Sequence, residues 1–531
     1  MDRGNPSPDS ERRVRRVHPS WALAMVLVWA IASLAALVWA LAAMSIDRSP
    51  VAEAGSANLR NLWPFWIASG SGWAALGALW LWLHRTAAGS STTRFARLSW
   101  LIVAVAGAAR VMVLFTHQPA LSDDIYRYVF DGRNLAHGMN PYLVTPAQRV
   151  GLGENTRIER PLSEIAATGA LVGGERWAGE ARLIERINNP ELYTIYLPAS
   201  QWVFAAGGLI IGDRWTDPAT GVRVFRAVFI LADLATILLL LAALRRAGRS
   251  PWWAALYAWH PLPIAELAGS GHQEGLAMVL LMAALVLHGP APKKIWRWTA
   301  ALALGALVKP VLLPVAAVLL KGRSWGAWAR CLLIGSVVTV VVAAPLLVWP
   351  DLRPLENLSS TAQRFTLKWA HFGSVYEPLL TVIEGSASTW SNDGQEQLAR
   401  TICGALLIAV MVGVWMTQRD AWRAGAWIFL AMVLLSPAAH PWYVLWALVL
   451  LPMAPSPAVW IASLTLPWGY AVLADTQTWS VSPWVMVAAY VPIYGALVVE
   501  VKKGRGTMPE TEGTGDEGRG TRSEKTRKDS R

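Results

Sequence analysis

Apolar residues in this chain arrive in repeated blocks of roughly 17 to 25, the length a helix needs to cross a bilayer core. The clearest such blocks cover residues 21–43, 62–83, 98–115, 225–244, 332–349 and 398–416, with shorter ones at 252–267, 275–288 and 424–435 and three further crossings before Lys502. Helices satisfy their own backbone inside lipid, so the pattern predicts an all-α, polytopic membrane protein of about 14 transmembrane helices.

The polar stretches between blocks differ in charge. Five short loops, near 85–97, 245–249, 293–297, 321–330 and 419–423, hold fourteen basic residues and one acid. Such loops face the cytoplasm. Arg12, Arg13, Arg15 and Arg16 precede the first block, and Lys502 and Lys503 follow the last, so both termini are expected inside. The first block is longer than the roughly 7 to 15 apolar residues of a signal-peptide core, which favours an anchor.

Two segments break this alternation. Residues 195–212 are apolar, yet counting them as a span would put Arg245, Arg246 and Arg249 on the wrong side, so they are expected to lie on the membrane or dip into it. Residues 299–320 have basic residues at both ends and Lys309-Pro310 in the middle. A hairpin of two short helices and a single kinked span are both open there.

The expected organisation is a basic cytoplasmic N-terminus (1–20), an N-terminal transmembrane hairpin (21–97), a transmembrane core (98–500) and a cytoplasmic tail (501–531). The core contains a large outer loop with interfacial helices at 117–224. The tail has almost no apolar content and is expected to be disordered.

Composition sharpens the class. The chain is 54% hydrophobic and only 15% charged, where soluble domains are about 25% charged. Its net charge of +12 sits in loops and tails, so it reports topology and not nucleic-acid binding. Among the 31 tryptophans, pairs such as Trp63 with Trp66 and Trp252 with Trp253 lie at block ends, as interfacial anchors do. Cys331 and Cys403 are too few and too apolar in setting for a disulfide framework or a cysteine metal site.

The stretch 122–142, SDDIYRYVFDGRNLAHGMNPY, is the chemical centre of the sequence. Ser122 or Asp123 is placed to cap a helix on which Asp124, Arg127, Tyr128 and Asp131 share a face. Taken alone it also reads as a capped interfacial helix. Topology adds His272 to Glu274, Lys309, His371 and His440 on the same outer side. Ionisable groups at the membrane mark functional sites. The chemistry they fit is sugar transfer from a lipid phosphate, with a carboxylate as base and cations on the departing phosphate. No phosphate-cradling glycine loop and no dinucleotide fingerprint occurs. His272, His371 and His440 lack close metal-ligand spacing. A secondary transporter and a lipid-glycan flippase or scaffold are the alternatives, although no internal repeat of the Lys309-Pro310 break is found.

SDDIYRYVFDGR…GMNPY, NNPELYTIYLP, GSGHQEG, LVKP and SPAAHPWY follow one another in an order that resembles bacterial GT-C membrane glycosyltransferases dependent on polyprenyl-phosphate sugars, across roughly residues 98–500. The resemblance implies a GT-C-like fold and inverting transfer of a hexose, usually mannose, from a polyprenyl-phosphate carrier to an envelope glycan, lipid or protein acceptor. That chemistry would take place at the extracytoplasmic face of the inner (plasma) membrane. It assigns the base to Asp124 or Asp123. Arg127, Arg133, Lys309, Arg364 and Lys368 are the candidate phosphate partners. Tyr128, Tyr196, His272, Glu274, His371, His440 and Tyr443 are expected around the sugar and acceptor. No cofactor is implied, and a divalent metal stays an open alternative. The family often has Tyr-Pro-Pro where this chain has Tyr196-Leu197-Pro198, and an Asp after Gly-His where this chain has Gln273-Glu274.

Overall fold

Helices that are apolar on every side must be covered by lipid or by one another, and this chain is built almost wholly from such helices. The computed structural model describes residues 20–46, 59–85, 92–150, 180, 182–212, 218–288, 294–348, 350–386, 390–474 and 480–505. Most of the stretch expected to start the chain (1–20), the tail from 506, and 151–179 of the large loop lie outside the described residues.

The main helices are α1 (Ser20–Ile46), α2 (Leu59–Arg85), α3 (Thr92–Thr116), α4 (Asp124–Ala136), α5 (Pro198–Ile211), α6 (Pro218–Arg246) and α7 (Glu274–Leu287). They continue as α8 (Ile295–Ala306), α9 (Leu313–Leu319), α10 (Trp325–Leu347), α11 (Arg353–Lys368), α12 (Asn392–Thr417) and α13 (Pro483–Arg505). Among the described residues no β-strand forms, and one isolated bridge joins His371 to Ala438. By length and composition α1, α3, α6, α10, α12 and α13 can each cross a membrane. Shorter apolar helices, including α5, α7 and Ala421–Leu435, complete the bundle. The protein is thus an all-α membrane protein.

Within the large loop, α4 and α5 cross in direct backbone contact. A Cβ on Gly132 would lie 2.2 Å from the Phe204 carbonyl oxygen, and one on Gly208 would lie 2.5 Å from that of Gly132. Small residues at both faces permit this approach, as in helix pairs within membranes. The crossing holds the N-terminus of α4, and with it Asp124, against the bundle.

Segment 299–320 folds as two short helices. α8 ends at Ala306, the chain turns through Lys309 in an extended conformation, and Pro310 opens a 3-10 turn into α9. His288, just past the end of α7, donates from Nε2 to the Leu319 carbonyl at the end of α9, 3.1 Å away. The pair therefore enters and leaves on one side, and its apex stands about 18 Å away by helical rise, inside the bundle. Lys309 sits at that apex.

Residues 252–267 do not form the continuous helix that their apolar run predicts. Helix Trp252–Ala258 stops, Pro261 and Pro263 withhold two backbone donors, and a π-helix follows at Ile264–Ser270. The π turn ends at Gly271 with φ +74°, where a Cβ would stand 2.4 Å from Ile125 Cδ1. Only glycine fits both the conformation and the contact. Arg226 locks this corner: its guanidinium donates to the carbonyls of Val113, His117 and Ala268, tying the end of α3 to the π-helix.

Candidate active site

Four chain segments bring their charged residues to one cleft at the hairpin apex. The N-terminus of α4 supplies Asp124, the π-helix supplies Glu266, the turn into α7 supplies His272 and Glu274, and the hairpin supplies Lys309. Asp124 opens the helix, and its own backbone N–H donates to Ser122 Oγ at 3.3 Å. Asp123 occupies the N-cap position without a side-chain capping bond.

The two neighbouring aspartates are thereby separated. Asp124 Oδ2 lies 3.8 Å from His272 Nδ1, and its side chain is 32% exposed to the cleft. His272 Nε2 lies 3.3 Å from Glu266 Oε2, and its Nδ1 lies 3.9 Å from Glu274 Oε2. Glu274 Oε1 holds the Lys309 ammonium at 2.5 Å. Lys309 also lies over the rings of Tyr443 and Trp446, at 4.9 and 5.3 Å from their centroids, a placement that favours a cation.

Aromatic rings wall the cleft on the other side. His272 stacks on Trp442 at 4.2 Å, Trp442 on His440 at 4.4 Å, and His440 on His371 at 5.3 Å. Trp369 Nε1 donates to His440 Nε2 at 3.2 Å, so that nitrogen is unprotonated. Both faces of Trp442 are covered by imidazoles, so its ring is structural and not a platform for a sugar.

Electrostatics follow from the packing. Burial raises the Asp124 carboxyl above its usual range; His272 and Lys309 draw it back down, while Glu274 and Asp123 push it up. Burial alone would lower His272, but Glu266, Glu274 and Asp124 outweigh it and the imidazole is raised. Burial, then the neighbouring His371, Lys309 and His272, hold His440 well below its usual value. Burial lowers His371 to about 4.

The other residues expected at the site are distributed as follows. Tyr128 and Tyr196 meet edge to face at 4.7 Å, within an aromatic cluster with Phe204 and Phe229. Arg127 is committed to Asp131 at 2.8 Å and to the Leu192 carbonyl, and Asp131 in turn accepts from Gln201. Arg133 lies 3.6 Å from Glu180, which also binds Arg149. Arg364 is exposed on α11, and Lys368 pairs with exposed Asp393. Lys309 is therefore the candidate cation that stands in the same cleft as Asp124.

Glu266, Tyr470 and Trp442 enter the site without having been singled out in the sequence. Tyr470 Oη donates to Glu266 Oε1 at 2.6 Å. Glu266 is the one acid in the apolar run 252–267, and a lone acid in such a run is itself a signal. Several buried polar atoms here lack a hydrogen-bond partner: Glu266 Oε2, both His272 nitrogens, Gln273 Oε1 and Glu274 Oε2. Among the described residues no three His, Cys, Asp or Glu side chains are grouped to hold a metal ion.

An all-α membrane protein with a half-open cleft of carboxylates, imidazoles and one lysine has the parts for acid–base chemistry on a hydroxylated, anionic substrate. Residues 380–501 match the family model described as the MptB C-terminal domain. Over that C-terminal part the chain is similar to a membrane mannosyltransferase. No curated protein and no solved structure matches it.

Proposed function

We propose that this protein moves a hexose, mannose by preference, from a polyprenyl-phosphate carrier to an acceptor of the cell envelope at the extracytoplasmic membrane face, with inversion. The observation that carries the reading is the convergence of Asp124 and Lys309, from chain positions far apart, on one cleft beside His272 and Glu274. The similarity of residues 380–501 to a mannosyltransferase family supports the same chemistry.

In this reading Asp124 takes the proton of the acceptor hydroxyl as its oxygen attacks the anomeric carbon. The bond from that carbon to the phosphate oxygen breaks, and its electron pair leaves with the polyprenyl phosphate. Lys309 moves from Glu274 towards the phosphate and stabilises the charge that develops. Arg127 and Arg133 are tied to Asp131 and Glu180, so they shape the cleft wall from behind.

Purified protein in lipid, supplied with radiolabelled polyprenyl-phosphate mannose or glucose and an envelope extract, tests the proposal. Label should reach an acceptor with the wild type and with Asp123→Asn, and not with Asp124→Asn. Turnover at the wild-type rate in Asp124→Asn and in Asp124→Ala would remove Asp124 from the base role. No donor consumed by any variant would remove the transferase reading.

A further inference from the structure

The buried carboxylate of Glu266 lies behind the reacting face and is not used by the mechanism above. Its side chain is fully enclosed, as is the His272 ring it faces. The only charged partner within ion-pair distance of Glu266 among the described residues is that imidazole. A buried carboxylate without a cation is strongly unfavourable, and the His272 ring is the group placed to supply that charge. Tyr470 donates to Oε1, which leaves Oε2 to face the His272 ring.

The groups facing His272 come from every element packed on it. Asp124 and Asp123 lie on the α4 side, Glu266 on the π-helix, and Glu274 at the start of α7. Lys309 stands at the hairpin apex, His440, Trp442 and Tyr443 in the 440–443 turn, and Tyr470 beyond. Three carboxylates close to the ring, Asp124, Glu266 and Glu274, are set against one ammonium. With neutral His272, crowded carboxylates would drive one of their number to protonate, and the half-exposed Asp124 would lose its use as a base. The ring is also fixed in orientation: Trp442 covers one face, and its backbone N–H donates to the Glu266 carbonyl at 2.9 Å.

We propose that Tyr470, Glu266 and His272 form a relay behind Asp124, in which Glu266 is a positioning residue that keeps a positive charge on His272 beside the Asp124 carboxylate. The inference rests on the proposed base role of Asp124, but its central claim concerns His272 and is measured without turnover. The arrangement resembles triad logic, where a buried acid orients and charges an imidazole. Here the imidazole serves a carboxylate.

The test is nuclear magnetic resonance of full-length protein in lipid nanodiscs, labelled with 15N-histidine, with the His272 signal assigned through its loss in His272→Asn. In the wild type the His272 midpoint should lie above that of free histidine. In Glu266→Gln it should fall by about one pH unit or more, the size expected for one lost close charge. Tyr470→Phe, a milder change, should lower it in the same direction and serves if Glu266→Gln does not fold. An unchanged midpoint in either folded variant overturns the relay. A transfer assay run in parallel should show the acid limb of Glu266→Gln moving to higher pH, because Asp124 loses its neighbouring cation. If the midpoint falls but no preparation turns over any donor, the relay stands and the transferase reading fails.

Discussion

Two groups of buried charge stand within the same bundle, and they are finished differently. In the first, Arg110 of α3 and Asp233 of α6 meet at 2.5 Å with both side chains wholly enclosed. Tyr257 donates to the second Asp233 oxygen at 2.6 Å, and Arg110 donates again to the Ala258 carbonyl. Both carboxylate oxygens are used. In the second, around Asp124, His272, Glu266 and Glu274, oxygens and ring nitrogens are left without hydrogen bonds and one carboxylate opens to the cleft. One Arg110 nitrogen, Nη2, also lacks a partner, but it is walled in by the bundle. An ion pair with both carboxylate oxygens bonded fastens helices, whereas carboxylates and imidazoles left unbonded beside an open face keep capacity for a ligand.

The contrast breaks most sharply in rate. Asp124→Asn should lower transfer by about two to four orders of magnitude, the usual worth of a general base, with the melting temperature almost unchanged. Asp233→Ala should do the reverse. It leaves Arg110 buried and unpaired, which costs about 3–5 kcal/mol of stability, while transfer per folded molecule is kept. Replacing the pair together, as Arg110→Met with Asp233→Leu, should recover most of that loss in thermal melts. If Asp233→Ala is stable and inactive instead, the two clusters do not divide as argued.

Smaller effects sharpen the division within the site. Lys309→Met should lower kcat/KM for the lipid donor by about ten- to a hundredfold, the worth of a charged hydrogen bond, and Lys309→Arg should restore part of it. Transfer should fail on acidification at a pH above the usual carboxylate range, because Asp124 is raised and acts only when ionised. His371 gives the mildest signal. Its folded value of about 4 lies below the unfolded one near 6.5, so the stability it contributes is full above about 6.5 and is lost as pH falls towards 4. Thermal melts across that window should drop by a few degrees in the wild type and be flatter in His371→Gln.

Helical class was legible from block length alone, since apolar runs near 20 residues leave few alternatives. Among site residues, Asp124, His272, Glu274, Lys309 and His440 stand together, and each was marked by being polar against an apolar background. Glu266 and Tyr470 were hidden because their neighbours make a good span by hydropathy, which does not register the π turn that aims Glu266 inward. The choice between Asp123 and Asp124 depends on which way one helix turn faces, and that is set by the Gly132–Gly208 crossing, beyond any local pattern. Arg127 and Arg133 looked like free cations, but their partners Asp131 and Glu180 emerge only once the loop has folded.

The hairpin of α8 and α9 gives Lys309 a foundation away from the cleft, at the foot of α9. At the foot of α9, Lys321 binds the carbonyls of Trp415, Met416 and Gln418, where α12 ends. Helical rise is fixed at about 1.5 Å per residue, so the height of the ammonium is set by a strut seated on that distant footing. The height of the candidate cleft is in this sense dimensioned from the foot of α9, and the loop between α9 and α10 bears on a site it never touches.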